Sequence, residues 1–143
     1  MIEEAGASNF FAVFPNKTIV TPWLDDGTIL PGVTRSSILE LACNELGYSV
    51  QERRLSIHEL KDATEAFCCG TGASVTPVGC VNYLDYSTSE DQSFEVVFGD
   101  GITPGPTTER IYTLIRSIQN GSYNDGDKYL HEKYAHWSLL VEP

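Results

Sequence analysis

The chain has 143 residues, with nine Lys and Arg against 20 Asp and Glu, for a formal net charge of -11. Hydrophobic residues make up 41% and charged residues 20%, the composition of one folded domain with a real core, not of a disordered chain. An acidic excess of this size repels phosphate backbones and anionic lipid, which excludes nucleic acid and membrane surfaces as general partners and leaves an anionic ligand only a local pocket.

In chain order, Asn9 to Phe14 and Thr18 to Thr21 are short β-prone runs split by Pro15-Asn16, which predicts a hairpin. A turn-rich segment, Pro22 to Gly32, ends in Leu30-Pro31-Gly32. The clearest helix follows: Thr34 is its expected cap, Ile38, Leu39, Leu41, Ala42 and Leu46 form its apolar stripe, and Gly47 stops it. Tyr48 to Leu55 alternates as a strand. Ser56-Ile57-His58-Glu59 has the capping-box pattern and opens a short helix through about Ala66. Ala66-Phe67-Cys68-Cys69 reads as a buried strand leading into Gly70-Thr71-Gly72-Ala73. Val75 to Leu84 is a second strand stretch, bent or at an edge because Pro77 and Gly79 interrupt it. Asp85 to Ser93 is an acidic surface loop and Phe94 to Phe98 a strand. A last amphipathic helix starts near Pro106, carries Ile111, Leu114, Ile115 and Ile118, and ends at Gly121. Loop is expected to Asp127, then a closing strand from His136 to Val141. Strands and helices alternate, which predicts an α/β or α+β mixed fold in a single domain, residues 1–143.

Four cysteines, Cys43, Cys68, Cys69 and Cys80, are too irregular for a disulfide framework or a zinc site, so reduced, packed thiols are expected. Adjacent Cys68 and Cys69 point to opposite faces if extended. No run of 18 apolar residues spans a membrane, and Met1-Ile2-Glu3-Glu4 lacks the basic start and apolar stretch of a secretory signal. Asn16-Lys17-Thr18 and Asn120-Gly121-Ser122 match the glycosylation pattern by chance on that reading.

Two places combine tight backbone with hydroxyls and exposed amides. At Leu30-Pro31-Gly32-Val33-Thr34 the helix start leaves free N–H groups and a partial positive charge that suit a phosphate or carboxylate. An ordinary capping Thr after a Pro-Gly turn explains the same residues. At Gly70-Thr71-Gly72, glycines allow close approach of a ligand and successive amides can form an anion nest, although a simple bend serves as well. His58, His131 and His136 have no metal spacing, and no nucleophile elbow, P-loop or dinucleotide fingerprint occurs.

Taken together, Glu4-Ala5-Gly6-Ala7-Ser8-Asn9-Phe10-Phe11, Ile19-Val20-Thr21 and Leu30-Pro31-Gly32-Val33-Thr34-Arg35 resemble the signature of the fold-type IV pyridoxal-phosphate aminotransferases. Glu65 to Ala73, leading to Val75-Thr76-Pro77-Val78, is similar to that family's second ligand loop. Ile118-Gln119-Asn120-Gly121 and Trp137 resemble the closing helix of its branched-chain amino-acid members. The similarity runs from Ile2 to about Val141. It implies the C-terminal large domain of that fold, strands and helices in a pseudo-barrel, with the N-terminal domain absent. It also implies pyridoxal 5'-phosphate as cofactor, amino-acid and 2-oxo-acid substrates, and a homodimer in the full-length enzyme.

The resemblance assigns Glu4 to the cofactor's ring nitrogen, which a carboxylate keeps protonated. Val33 and Thr34 match phosphate-holding positions, Thr71 a further phosphate hydroxyl, and Thr71 and Gly72 the backbone that receives the substrate carboxylate. Ala7 stands where relatives carry Thr, Ser or Glu, and Gly72 replaces a more usual Ala, which should loosen that loop. The Cys-x-x-Cys of some animal members is here Ser74 to Pro77, and the acidic stretch from Asp85 to Glu95 looks longer than usual. Lys17, Lys61, Lys128 and Lys133 do not match the Schiff-base lysine, which lies upstream of the glutamate position, so this chain has no catalytic residue of its own and is expected to be inactive alone. The implied enzyme is a branched-chain amino-acid transaminase acting between Leu, Ile or Val and 2-oxoglutarate. A D-amino-acid aminotransferase or aminodeoxychorismate lyase of the same fold, or a non-catalytic protein that binds a partner subunit, are the alternatives. Cytoplasm is the default compartment, with mitochondrion or plastid left open because a targeting segment would precede Met1.

Overall fold

The computed structural model describes residues 1–86, 92–121 and 125–137. Its first strand, β1 (Glu4–Ala5), turns back through Gly6, at φ 63°, onto β2 (Ser8–Phe14). A tight turn, with Lys17 at φ 55°, then leads into β3 (Thr18–Thr21), so the expected hairpin forms. Helix α1 (Val33–Asn44) follows, then β4 (Ser49–Glu52), β5 (Glu65–Gly70), β6 (Ser74–Val78), β7 (Cys80–Tyr83) and β8 (Phe94–Val97). Two further helices, α2 (Pro106–Asn120) and α3 (Tyr129–Lys133), complete a mixed α/β fold.

Six strands form one sheet in the order β4-β3-β2-β5-β6, with β1 also pairing β2, while β7 and β8 make a separate antiparallel ribbon. Every pair in the large sheet is antiparallel except β3 with β4. Side-chain alternation along the central strands divides two cores. Phe11, Val13, Phe67 and Cys69 pack on one face under α1 and α2, whereas Phe10, Ala12 and Ala66 face Leu55, Leu60, Val96 and Phe98 on the other. Phe11 and Phe67 are cross-strand partners whose rings stack at 4.9 Å. Cys68 and Cys69 point to opposite faces as the alternation requires.

Helix α1 runs where its stripe predicts, with Ile38, Leu41 and Ala42 fully buried and Gly47, at φ 65°, beyond its end. Its cap is corrected by two residues: Gly32 occupies the cap and Val33 opens the helix, so Thr34 is the second helical residue and does not cap. Helix α2 starts at Pro106 and ends at left-handed Gly121, as read from sequence. The capping box also forms, with the Ser56 N–H donating to Glu59 at 2.9 Å. It opens a 3-10 segment, Ile57–Asp62, that stops short of Ala66 because Glu65 and Ala66 already pair with β2.

Several expected elements differ. The strand proposed from Tyr48 to Leu55 shortens to the mostly exposed β4. The stretch from Val75 to Leu84 splits at Gly79 into strands of two different sheets. A Cβ at Gly79 would lie 2.1 Å from the Gly101 carbonyl oxygen, so the chain can cross there only without a side chain. The segment before Asp127 is not all loop: Asp125–Asp127 is a 3-10 turn, followed by the unforeseen α3. Ala135–Trp137 is 3-10 where a closing strand was expected, and residues 138–141 of that strand lie outside the described residues. Ser122 of the second glycosylation match and residues 87–91 of the acidic loop lie outside them too. Asp85, Tyr86, Gln92 and Ser93 belong to no strand or helix.

Candidate functional site

The turn between β1 and β2, the turn between β5 and β6, and the start of α1 all lie at one end of the large sheet. Glu4 and Asn9 are direct cross-strand partners, and Asn9 in turn pairs with Cys69 on β5. This row faces the helices. The Leu30 N–H donates to the Glu4 carboxylate at 3.3 Å, and the Asn9 amide donates to the Leu30 carbonyl at 2.9 Å. One cross-strand pair therefore grips a single residue of the connecting loop from both sides. Two residues on, Gly32 sits against the same side chain. A Cβ there would lie 2.4 Å from Asn9 Oδ1.

Beyond Gly32, the first turn of α1 has no side-chain cap and no acidic residue, so its leading amides keep their partial positive charge. Helix α2 is treated differently. Buried Glu65 accepts from the Thr107 N–H at 3.0 Å, the Thr108 N–H at 2.8 Å and the Thr108 hydroxyl at 2.8 Å. The protein thus supplies its own anion at one helix start and leaves the other open. Exposed Val33 and half-buried Thr34 of that open turn line a cavity of about 330 Å³ with Glu40, with Ile118 and Gln119 of α2, and with Trp137.

Thr71 and Gly72 form the exposed turn from β5 to β6, at the same end but outside the cavity. A Cβ at Gly70, at its entrance, would come within ordinary contact of Ser8 and the Ala7 carbonyl, which sets this turn beside the one that follows Glu4. Ser74, not a glycine, takes the left-handed conformation at φ 56°. The structure therefore joins Val33 to Thr34 at the cavity, ties Glu4 to the loop just before them, and holds Thr71 and Gly72 on a neighbouring turn.

Sequence reading missed Asn9, Arg35 and Glu65. Arg35, buried in the first turn of α1, donates to the Pro22 carbonyl at 2.9 Å and pairs with Glu52 at 2.7 Å, anchoring the other end of the loop that carries Leu30. The available signal was a polar residue at a buried position of an otherwise apolar strand or helix stripe. Burial pushes the Cys69 thiol, beside Asn9 in the row, up to about 12; Cys68 adds to the shift and Arg35 opposes it. Cys43 and Cys80 are exposed, which corrects the expectation that all four thiols are packed. Among the described residues no three His, Cys, Asp or Glu side chains gather as a metal site, and no helix is long and apolar enough to cross a membrane.

Residues 1–80 match the family model of the amino-transferases of class IV. The chain belongs to that family. Over 124 residues it is 44% identical to the Arabidopsis thaliana branched-chain-amino-acid aminotransferase 1, mitochondrial, covering 87% of this chain and 29% of that protein. It superposes on the Escherichia coli branched-chain amino acid aminotransferase with a TM-score of 0.67 at 34% identity, over 87% of this chain and 36% of that one. The holo, PLP-form enzyme of Thermobaculum terrenum gives 0.69 at 27% identity, over 94% and 36%. This class IV chain thus spans about a third of the length of the relatives it matches.

Proposed function

We propose that residues 1–143 fold as one domain, the C-terminal part of a pyridoxal-phosphate-dependent branched-chain amino-acid transaminase. In this reading the whole enzyme moves an amino group between Leu, Ile or Val and 2-oxoglutarate. One observation carries it: the uncapped start of α1 is held next to a carboxylate, Glu4, through Leu30, while α2 has its own internal anion. A phosphate on the first group and a protonated ring nitrogen on the second fit this arrangement.

The amides of Val33 and Thr34, with the Thr34 hydroxyl, hold the phosphate. Glu4 keeps the ring nitrogen protonated by offering it the carboxylate oxygen that Leu30 does not occupy. Thr71 supplies a further phosphate hydroxyl, and the Thr71-Gly72 backbone receives the substrate carboxylate. Pyridoxal phosphate, when bound, supplies a carbonyl for the amino group and a ring that accepts the electrons of the broken Cα–H bond. The lysine that carries the cofactor and moves the α-proton comes from outside these 143 residues. None of Lys17, Lys61 and Lys133 serves: Lys17 lies in the turn at the far end of β2, Lys61 sits 3.9 Å over the Phe94 ring, and Lys133 is paired with Glu45. A homodimer is proposed for the whole enzyme. Its compartment is cytoplasmic by default, and the name of the Arabidopsis relative favours testing the mitochondrion.

The polypeptide that contains this chain, purified at its native length, should release glutamate from 2-oxoglutarate with Leu, Ile or Val. Activity confined to D-alanine, or release of pyruvate from aminodeoxychorismate, would replace the branched-chain reading by one of its same-fold alternatives. Absence of any pyridoxamine 5'-phosphate binding by this chain would leave a non-catalytic, partner-binding protein.

A further inference from the structure

Asn9 sits on the central strand of the sheet, is 6% exposed, and is the polar member of a face otherwise built from Phe11 and Val13. A buried amide survives on such a face only where its hydrogen bonds are met. Its Nδ2 donates to the Leu30 carbonyl, and its Oδ1 lies in the space that a side chain at position 32 would need. Its backbone meanwhile pairs with Glu4, whose carboxylate accepts from the N–H of the same Leu30. The distance from Glu4 to the open amides of α1 is therefore set across one side chain. The body of helix α1 keeps its place without that side chain, since Ile38, Leu41 and Ala42 are fully buried in the core, so Asn9 bears only on the approach through Leu30 and Gly32 to its first turn.

We infer that Asn9 is a positioning residue: through Leu30 and Gly32 it fixes the spacing between the Glu4 carboxylate and the first turn of α1. It thereby selects a ligand that carries a ring nitrogen and a phosphate at matching separation. This inference rests on the reading of that end of the sheet as the cofactor site. A ligand with only one of the two groups has no spacing to satisfy, so it is indifferent to Asn9.

Calorimetric titration of the full chain with pyridoxamine 5'-phosphate and, separately, with inorganic phosphate tests the point. Asn9→Ala should weaken pyridoxamine phosphate about tenfold and change inorganic phosphate by less than about twofold. Asn9→Asp, which keeps the volume but sets an acceptor against the Leu30 carbonyl, should do the same and covers the case in which the alanine variant fails to fold. In a Glu4→Gln background the Asn9→Ala loss should shrink, because the aligned partner is already altered. Amide hydrogen exchange at Leu30 and Gly32 should quicken in both Asn9 variants. Equal binding of pyridoxamine phosphate by Asn9→Ala and the unmutated chain overturns the inference alone. A parallel loss of both ligands also overturns it, by reducing Asn9 to general stability. Failure of the unmutated chain to bind pyridoxamine phosphate overturns the cofactor reading itself, and the role of Asn9 with it.

Discussion

Glu65 and Asp100 show how much depends on where a carboxylate is put. Glu65 is buried and spends all of its bonds on the start of α2, so Glu65→Ala leaves two helix amides and a hydroxyl without partners. The variant should lose about 3 kcal/mol of stability in urea unfolding, most of the effect of charge-assisted hydrogen bonds in a dry site. Asp100 acts at the surface. The backbone N–H of Thr103, then the Thr103 hydroxyl and the Ile102 N–H, push its carboxyl down to about 2 from an ordinary 3.8. A group depressed on folding stabilises fully above its unfolded value and loses that contribution as pH falls through the folded one. The Ile102 and Thr103 amide signals should therefore hold from neutral pH to below pH 4 and shift with a midpoint near 2. A midpoint near 4 would show that the Asp100 turn does not persist in solution. The thiols divide likewise. Iodoacetamide followed by mass spectrometry should modify exposed Cys43 and Cys80 in the folded chain, while Cys69, raised to about 12 by burial, reacts only after unfolding.

Elements whose stripes are local were legible in the sequence, and their ends were legible only where a residue marks them chemically. Helix α2 kept both boundaries because Pro106 and Gly121 mark them chemically. Helix α1 begins at Val33 with Gly32 as its cap, at a place where a Cβ would meet Asn9 of a distant strand, and no capping rule at Thr34 can include that. The strand from Val75 to Leu84 broke at Gly79 for a similar reason: the loop at Gly101 crosses there. Gly79→Ala should cost about 2 kcal/mol or more, since the clash is with backbone and cannot be relieved by a rotamer change. Gly72 is the opposite case. Its missing Cβ meets nothing within 4 Å and its φ is not left-handed, so Gly72→Ala should stabilise the chain by roughly 0.5 kcal/mol. Thermal unfolding of the two variants side by side checks both. Helix α3 escaped notice because its hold is tertiary. Glu45, at the end of α1, accepts from Tyr129, Lys133 and Tyr134 together. Burial works to raise the Glu45 carboxyl, but those three bonds outweigh it and hold it below its ordinary range.

At the scale of the whole molecule, an acidic chain keeps the start of α1 open and locally positive beside a carboxylate, and Lys17, Lys61 and Lys133 stand elsewhere. Lys17 follows β2, whose seven residues put it roughly 20 Å from the row that holds Glu4 and Asn9. The chain by itself, given pyridoxal phosphate, leucine and 2-oxoglutarate, should therefore release no glutamate in a coupled dehydrogenase assay, and measurable turnover would refute the placement of the cofactor lysine outside it. Local pattern was enough to read the hairpin of β2 and β3, the buried strand at β5, the stripes of α1 and α2, the capping box at Ser56, and the turn that follows Gly70. Each is a pattern of neighbours within one element, where chain geometry alone sets which side chains share a face. Long-range packing alone lets Glu4 and Asn9 grip Leu30 and lets Glu65 serve a helix 42 residues away. It also decided that Val33 and Thr34 share a cavity with Gln119 and Trp137. Those choices depend on which distant groups the closed sheet and its helices bring within hydrogen-bond reach, and separation along the chain carries no record of that.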